Sequence, residues 1–304
     1  MRFNTTVARS ACEMDRLAPL WTELLQQQRH TIFQSFFWNR LAAEVFPDRL
    51  TPYVVTVEAG SGAAIIPAAI NHATNRMELL GEALFDYRDV LHAGDPETLR
   101  QAWLRVAACG LPLDVVALKF GTARERWGRF PLVPFAGAPC VERDQIAEQQ
   151  FRAAHPRMGR RLRQLQNQGV RLRRSSGANS TVVRHIYDRK STQRDTNNLF
   201  QDERRREFMV AAASLAGSQC EVFALETREE KMVAGLVTFR DGNIRRFYTT
   251  YFEPEWARSS PGMVLLHEVT ARSLAEGLSC DYMTGEHPYK LRLAKSLRTL
   301  NKVA

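Results

Sequence analysis

The chain has 304 residues, of which 44% are hydrophobic and 25% charged, with a formal net charge of +9. That composition is that of an ordinary globular protein and excludes disorder and fibres, while the length suggests two domains rather than one core. No apolar run approaches the roughly 20 residues of a membrane-spanning helix, and the first residues, Met1 to Thr6, lack the apolar stretch of a signal peptide.

In chain order, Met14 to Gln28 predicts a helix with Leu17, Leu20, Trp21, Leu24 and Leu25 on one face. Ser35 is placed to cap a second helix that runs to Phe46 and stops at Pro47. Tyr53–Glu58 and Ala63–Pro67 read as strands joined through the glycine-bearing turn Ala59-Gly60-Ser61-Gly62. Met77–Leu80 is a third strand. Asp95-Pro96 opens a helix that ends before Gly110, and Leu113–Leu118 is an apolar strand.

The Pro/Gly-rich stretch Phe130–Pro139 reads as a seam, dividing the chain into domains 1–140 and 141–304. Beyond it, Asp144 to Gln168 predicts one long helix closed by Gly169. Val170–Arg173 alternates like a strand, and helices follow over Ser180–Gln193 and Asp202–Ala216. Glu221–Glu226, Met232–Arg240 and Asn243–Phe252 are β-rich, with Asp241-Gly242 marking a hairpin. Ser260-Pro261 opens a helix to Glu276, and Ser279–Met283 is the last strand. Each half therefore reads helix, helix, antiparallel strands, helix, strand, as though one α/β unit had been duplicated.

Charge is concentrated in the second half. Between Arg152 and Arg174 lie eight arginines and no acid, and five more bases (Lys290, Arg292, Lys295, Arg298, Lys302) follow Glu286. Together they outnumber the net charge, so the rest of the chain is net acidic. Such concentration points to an anionic ligand or surface, or to a solvated helix face. No helix-turn-helix, zinc finger or aromatic RNA-binding signature accompanies it. The cysteines (Cys12, Cys109, Cys140, Cys220, Cys280) are odd in number and scattered. They are expected to be reduced thiols in a cytoplasmic protein, and no metal site is expected.

Three antiparallel strands, a helix and a parallel strand, in that order, form the core of the GNAT acyltransferase fold. The segment Arg258-Ser259-Ser260-Pro261-Gly262-Met263 stands where that helix begins. Its unpaired N–H groups and dipole favour an anion; Ser260 is placed to cap it and Gly262 to let a phosphate approach.

Across nearly the whole chain the sequence resembles the CelD/BcsL-type acyltransferases, a GNAT-related family allied to the FemABX aminoacyl transferases. The resemblance is carried by Asp86-Tyr87-Arg88-Asp89, Arg160-Arg161-Leu162-Arg163-Gln164-Leu165 with Gly169, Lys190, Ser260-Pro261-Gly262, and Asp281-Tyr282-Met283-Thr284-Gly285-Glu286-His287-Pro288-Tyr289-Lys290. It implies an α/β (α+β) architecture of two fused GNAT-like domains, each a mixed, mainly antiparallel sheet flanked by helices. The repeated element order further predicts that the strands before and after Ser260-Pro261-Gly262 splay apart. The reaction implied is transfer of an acyl group, from acyl-CoA and most simply acetyl-CoA, to an amine of a sugar nucleotide, polysaccharide precursor or amino acid.

The phosphate loop departs from the GNAT pattern, because Pro261 and Met263 occupy two of its glycine positions. A tRNA-borne donor, as in Fem-type relatives, and a catalytically idle role in exopolysaccharide assembly therefore stay open. Within the resemblance, Arg258, Ser259, Ser260, Gly262 and Met263 are the cofactor-binding candidates. Glu286 or His287 serves as base, Tyr289 as acid for the leaving thiolate, and Lys290 as oxyanion or phosphate partner. Tyr289 also falls at helical spacing with Leu293 and Leu297, which would make it a core residue. Asp86, Tyr87, Asp89, Lys190, Arg194 and one of Tyr248 and Tyr251 are the substrate candidates, and Asp195 is considered with Arg194.

Overall fold

The computed structural model describes residues 2–119, 124–127, 130–193 and 198–304. The chain divides into two compact units, Met1–Ala136 with Thr299–Ala304, and Gly137–Arg298.

The first unit opens with strand β1 (Asn4–Ala8), helices α1 (Ala11–Met14), α2 (Ala18–Gln26) and α3 (Phe36–Val45). Strands β2 (Leu50–Ala59), β3 (Gly62–Asn71), β4 (Arg76–Leu79) and β5 (Leu91–Gly94) follow, then helix α4 (Pro96–Ala107). The sheet order is β1-β2-β3-β4, with β5 also on β3, and every one of these pairs is antiparallel. The β2–β3 ladder closes at Ala59↔Gly62. Only glycine fits at 62, since a Cβ there would stand 2.5 Å from the Ala93 carbonyl oxygen of β5. The Asp95 carboxylate accepts the Glu97 N–H at 2.9 Å and Pro96 takes the first turn, which starts α4 where the sequence places it. Tyr53, Val55, Ile66, Leu99 and Trp103 pack between α4 and the sheet.

Two local expectations fail in this unit. Ser35 stands at the start of α3, but its hydroxyl donates to the Ile32 carbonyl instead of capping. Residues 113–118 make isolated bridges, Met77↔Leu113 and Arg88↔Leu118, rather than a strand. Pro112 and the left-handed Ala117 (φ 56) flank and interrupt that run.

The chain passes from the first unit to the second within β6 (Leu132–Val141), the stretch whose prolines read as a seam. Next come α5 (Glu148–Ala154), α6 (Pro156–Asn167), β7 (Arg171–Ser176), α7 (Ser180–Ser191) and α8 (Glu203–Leu215). Strands β8 (Cys220–Glu226), β9 (Met232–Asp241) and β10 (Ile244–Phe252), helix α9 (Pro261–Ala275), β11 (Ser279–Asp281), α10 (Pro288–Leu291) and β12 (Ser296–Val303) complete the chain. The expected single helix over 144–168 is two, because Pro156 has no N–H to continue α5; it begins α6 instead. The seven-stranded sheet runs β12-β6-β11-β10-β9-β8-β7. β7 to β10 are antiparallel neighbours, while β10 and β11 are parallel across α9. Helix α9 is buried on nearly every side, with Val264, Leu265, Leu266 and Val269 packed among Phe151, Leu236, Phe247 and Leu293. An antiparallel sheet in the first unit and a mixed, mainly antiparallel sheet in the second, each flanked by helices, fit the expected pair of GNAT-like domains.

Candidate active site

The second unit's chemistry gathers where β10 and β11 part. They pair from Ile244↔Ser279 to Arg246↔Asp281 and no further. β10 continues to Phe252, whereas the Tyr282 N–H turns to the Pro139 carbonyl on β6 at 2.9 Å. In β10 the ladder to β9 shifts between Phe247 and Thr249, so Tyr248 is the extra residue of a bulge. A bulge bends a strand and re-aims its side chains. In the gap lies a cavity of about 50 Å³, lined among others by Phe247, Tyr248, Thr250, Tyr282, Tyr289 and Lys290.

The loop after β11 is held open by three local devices. The buried Asp281 carboxylate accepts the Met283 N–H at 2.8 Å and pairs with Arg246 at 2.7 Å. Met283 adopts φ 64 and Gly285 φ 104, a backbone path that glycine takes most easily. The Lys290 ammonium, 8% exposed, donates to the carbonyls of Thr284 at 2.7 Å and Met283 at 3.2 Å. The aspartate, glycine and lysine of the most specific sequence pattern thus shape the loop, and Lys290 forms cavity wall at the same time.

Glu286 and His287 are exposed at the tip of this loop. Glu286 lies against Gly137, where a Cβ would meet its Oε1 at 2.5 Å. The His287 ring stacks on Tyr289 at 5.8 Å. Tyr289 is half-buried, and burial holds its phenol above the ordinary value, so it keeps its proton at neutral pH. The structure therefore brings Tyr248, Tyr289 and Lys290 to one cavity, with His287 stacked on Tyr289, while Glu286 lies against Gly137 on β6.

Thr250, which sequence reasoning missed, joins them. It lines the cavity, and its buried hydroxyl has no hydrogen-bond partner among the described residues. A buried, unanswered hydroxyl is costly unless a ligand or water completes it. The only trace in the sequence was its place on the same strand as Tyr248. Tyr282, also missed, is buried with its hydroxyl 2.9 Å from that of Thr270 on α9.

Of the two tyrosines, Tyr248 lines the cavity and Tyr251 does not. The Tyr251 hydroxyl donates to Glu253 at 3.0 Å, and the Arg189 Nε donates to the same carboxylate at 2.9 Å. Burial works to raise the Glu253 pKa, but these hydrogen bonds outweigh it and hold the carboxyl below its usual range. Lys190, at the end of α7, is half-buried and its carbonyl accepts from Asn198 at 2.8 Å. Arg194 and Asp195 lie outside the described residues.

The start of α9 differs from expectation in two respects. Ser260 does not cap it: the residue adopts the left-handed conformation (φ 51, ψ 49) and its side chain makes no capping bond. Gly262 is buried, and the face a side chain would occupy is closed by Phe252, whose ring carbon would stand 3.2 Å from a Cβ. The N–H groups of Gly262 and Met263 still fall in the first turn of a 15-residue helix, with Arg258 exposed and Ser259 half-buried just before it.

In the first unit, Tyr87 (φ 53) is buried against Phe33, with ring centroids 6.2 Å apart, and its carbonyl accepts from Gln34. Asp89 is 4% exposed; it accepts the Val90 N–H at 2.9 Å and pairs with Arg126 at 3.1 Å. Asp86 beside them is half-buried. Tyr87 and Asp89 are thus engaged in that unit's own packing. Burial pushes the Cys220 and Cys280 thiols up to about 12, which leaves them poor nucleophiles.

Comparison with known proteins bears on the fold. Residues 150–291 match the model of an acetyltransferase (GNAT) domain. No curated protein matches the sequence. Among solved structures, the chain is similar to the C-terminal domain (DUF2156) of a protein named as a lysylphosphatidylglycerol synthetase from Agrobacterium fabrum. The TM-score is 0.63 at 10% identity, over 96% of this chain and 92% of that one. FemX gives a TM-score of 0.58 at 7% identity, over 100% and 98% of the two chains. A tandem GNAT protein from the clavulanic acid biosynthesis pathway gives 0.52 at 11% identity, again over 100% and 98%. At such identities the likeness is one of fold. Residues 150–291 are therefore similar to an acetyltransferase (GNAT) domain, on a fold shared with a tandem GNAT protein and with FemX.

Proposed function

We propose that the second unit is a cytoplasmic N-acyltransferase of the CelD/BcsL type. It would move an acyl group from acyl-CoA to an amino group of a sugar nucleotide, polysaccharide precursor or amino acid. The observation that carries this reading is the cavity at the β10–β11 divergence, walled by Tyr248, Thr250, Tyr289 and Lys290. An acyl thioester would lie along β10 with its carbonyl near the bulge. The pyrophosphate would meet the N–H groups of Gly262 and Met263, with Arg258 beside it. The amine nitrogen attacks the thioester carbonyl after giving its proton to Glu286 or His287, directly or through water. Charge developing on the carbonyl oxygen is stabilised by the Lys290 ammonium and the Thr250 hydroxyl. As the carbon–sulfur bond breaks, the Tyr289 phenol gives its proton to the departing thiolate.

A second reading draws support from Phe252 over Gly262, together with Pro261 and Met263 in the loop. Those features narrow the space for a pyrophosphate and favour a donor held elsewhere, such as an aminoacyl-tRNA. The test is incubation with acetyl-CoA, longer acyl-CoAs and aminoacyl-tRNA, each with UDP-amino sugars and amino acids as acceptors. Thiol release and product mass are read. A thiol-linked acylated product supports the first reading, and product from the tRNA ester alone supports the second. Donor binding without turnover on any acceptor would make the chain an idle assembly component.

A further inference from the structure

The arginines between Arg152 and Arg174 separate into two sets. Arg152 pairs with Glu148 and Glu268, Arg173 with Glu226 and Glu230, and Arg174 with Glu221 and Glu276. Arg157, Arg160, Arg161, Arg163 and Arg171 have no carboxylate partner among the described residues. Four of these five stand on α6, a helix with no acid in it. Arg157, Arg160 and Arg163 are exposed and Arg161 is half-buried. Met158, Leu162 and Leu165 turn the other side of the helix into the core. The solvent side therefore shows guanidinium and amide groups, the latter from Gln164, Gln166 and Asn167. Just beyond the end of α6 lies an open groove of about 720 Å³, lined by Gln166, Arg171, Arg228 and Arg272.

Like charges three and four residues apart weaken a helix, so an array of this kind has a standing reason to take up an anion. We infer that this face of α6, with the groove at its end, binds the phosphodiester backbone of a nucleic acid. Arginine's planar fork bonds phosphate oxygens two at a time, and side-chain amides suit sugar and phosphate oxygens. No aromatic side chain stands among these residues, so contact is expected to follow charge and shape rather than base sequence. An anionic membrane fits less well. A helix that lies in a lipid interface buries its apolar face there, and the apolar face of α6 is already committed to the protein core.

The inference does not depend on the proposed reaction, since none of these arginines lines the cavity. It is tested on the intact chain by fluorescence anisotropy with labelled bulk tRNA and with a labelled single-stranded DNA, at a series of salt concentrations. Flotation with phosphatidylglycerol vesicles runs beside it. Five phosphate contacts give a log–log salt slope of roughly −3.5, or about 100-fold weaker binding at 200 mM than at 50 mM salt. The surface variant R157Q/R160Q/R163Q should keep its melting temperature. Its slope should shrink by about 2, leaving less than a 10-fold salt effect. Binding to RNA, to DNA or to both supports the inference and identifies the source of the phosphodiester. Unchanged affinity and slope in the variant would overturn it, as would capture by vesicles with no binding to either nucleic acid.

Discussion

Replacing Lys290 by Met keeps the length of the side chain but removes its ammonium. Two carbonyls, those of Met283 and Thr284, then lose a charged donor that is only 8% exposed. Hydrogen bonds to charged groups contribute about 1.5–3 kcal/mol each, so the loop should lose about 3 kcal/mol or more. For a domain of this size that lowers the melting temperature by roughly 6–12 °C. Turnover should fall as well, by about 100-fold or more if the same charge faces the developing oxyanion. Thermal melts and steady-state kinetics on Lys290→Met and Lys290→Arg separate the two effects. Arg keeps the charge but not the compact geometry, so it should recover more stability than activity. An unchanged melting temperature in Lys290→Met would refute the claim that the ammonium fastens the loop. Lost stability with full turnover at saturation would remove it from the chemistry.

Asp281→Asn should destabilise the protein by about 3–5 kcal/mol, because Arg246 would lose its fully buried carboxylate and the one remaining amide oxygen can serve either Arg246 or the Met283 N–H but not both; a near-normal denaturation midpoint would contradict this. Ser260→Gly should raise stability by up to about 1 kcal/mol, since the serine is left-handed and caps nothing; a lowered melting temperature would mean that the hydroxyl matters after all. Burial, with His155 and Arg152 adding to it, pushes His267 from 6.5 down to about 4, so its contribution to stability is present above pH 6.5 and lost as pH falls towards 4. That shift corresponds to about 3 kcal/mol; His267→Phe should flatten the acid limb of the stability profile, and an identical limb would reject the assignment.

The central elements of the second unit were legible because each carries its own local signal. Asp241-Gly242 sets the β9–β10 hairpin, and Pro261 and Gly277 bracket α9, whose interior is apolar on almost every face. The missed pieces are those whose local signal contradicts their setting. β6 holds Pro134 and Pro139, which read as a linker, yet its ladder to β11 needs only Cys140 and Val141. In β12 the apolar residues Leu297, Leu300 and Val303 recur every third position, a helical rhythm that hides a strand. Pro156 divides a run, Glu148–Asn167, whose remaining residues other than His155 are all helical, so its effect is masked by helix formers on both sides. At the site, the residue types near Tyr289 and Lys290 were visible in sequence. Their geometry was not, since it depends on Asp281, on the left-handed Met283 and on carbonyls that no side-chain pattern reveals. Thr250 could be found only through burial without a partner, and Phe252 only through its approach to Gly262.

The most direct test of the proposed donor site is amide hydrogen exchange on the intact protein with and without saturating acetyl-CoA. If the thioester lies in the gap beside β10 with its phosphates at the start of α9, protection should concentrate in two segments. These are the bulge region from Phe247 to Thr250 and the helix start at Gly262 and Met263. Lys290→Met should still show protection at the helix start while losing it near the bulge. Protection confined to other segments, or none in the wild type under conditions where acyl transfer is observed, would contradict the placement of the donor and with it the account of the active site.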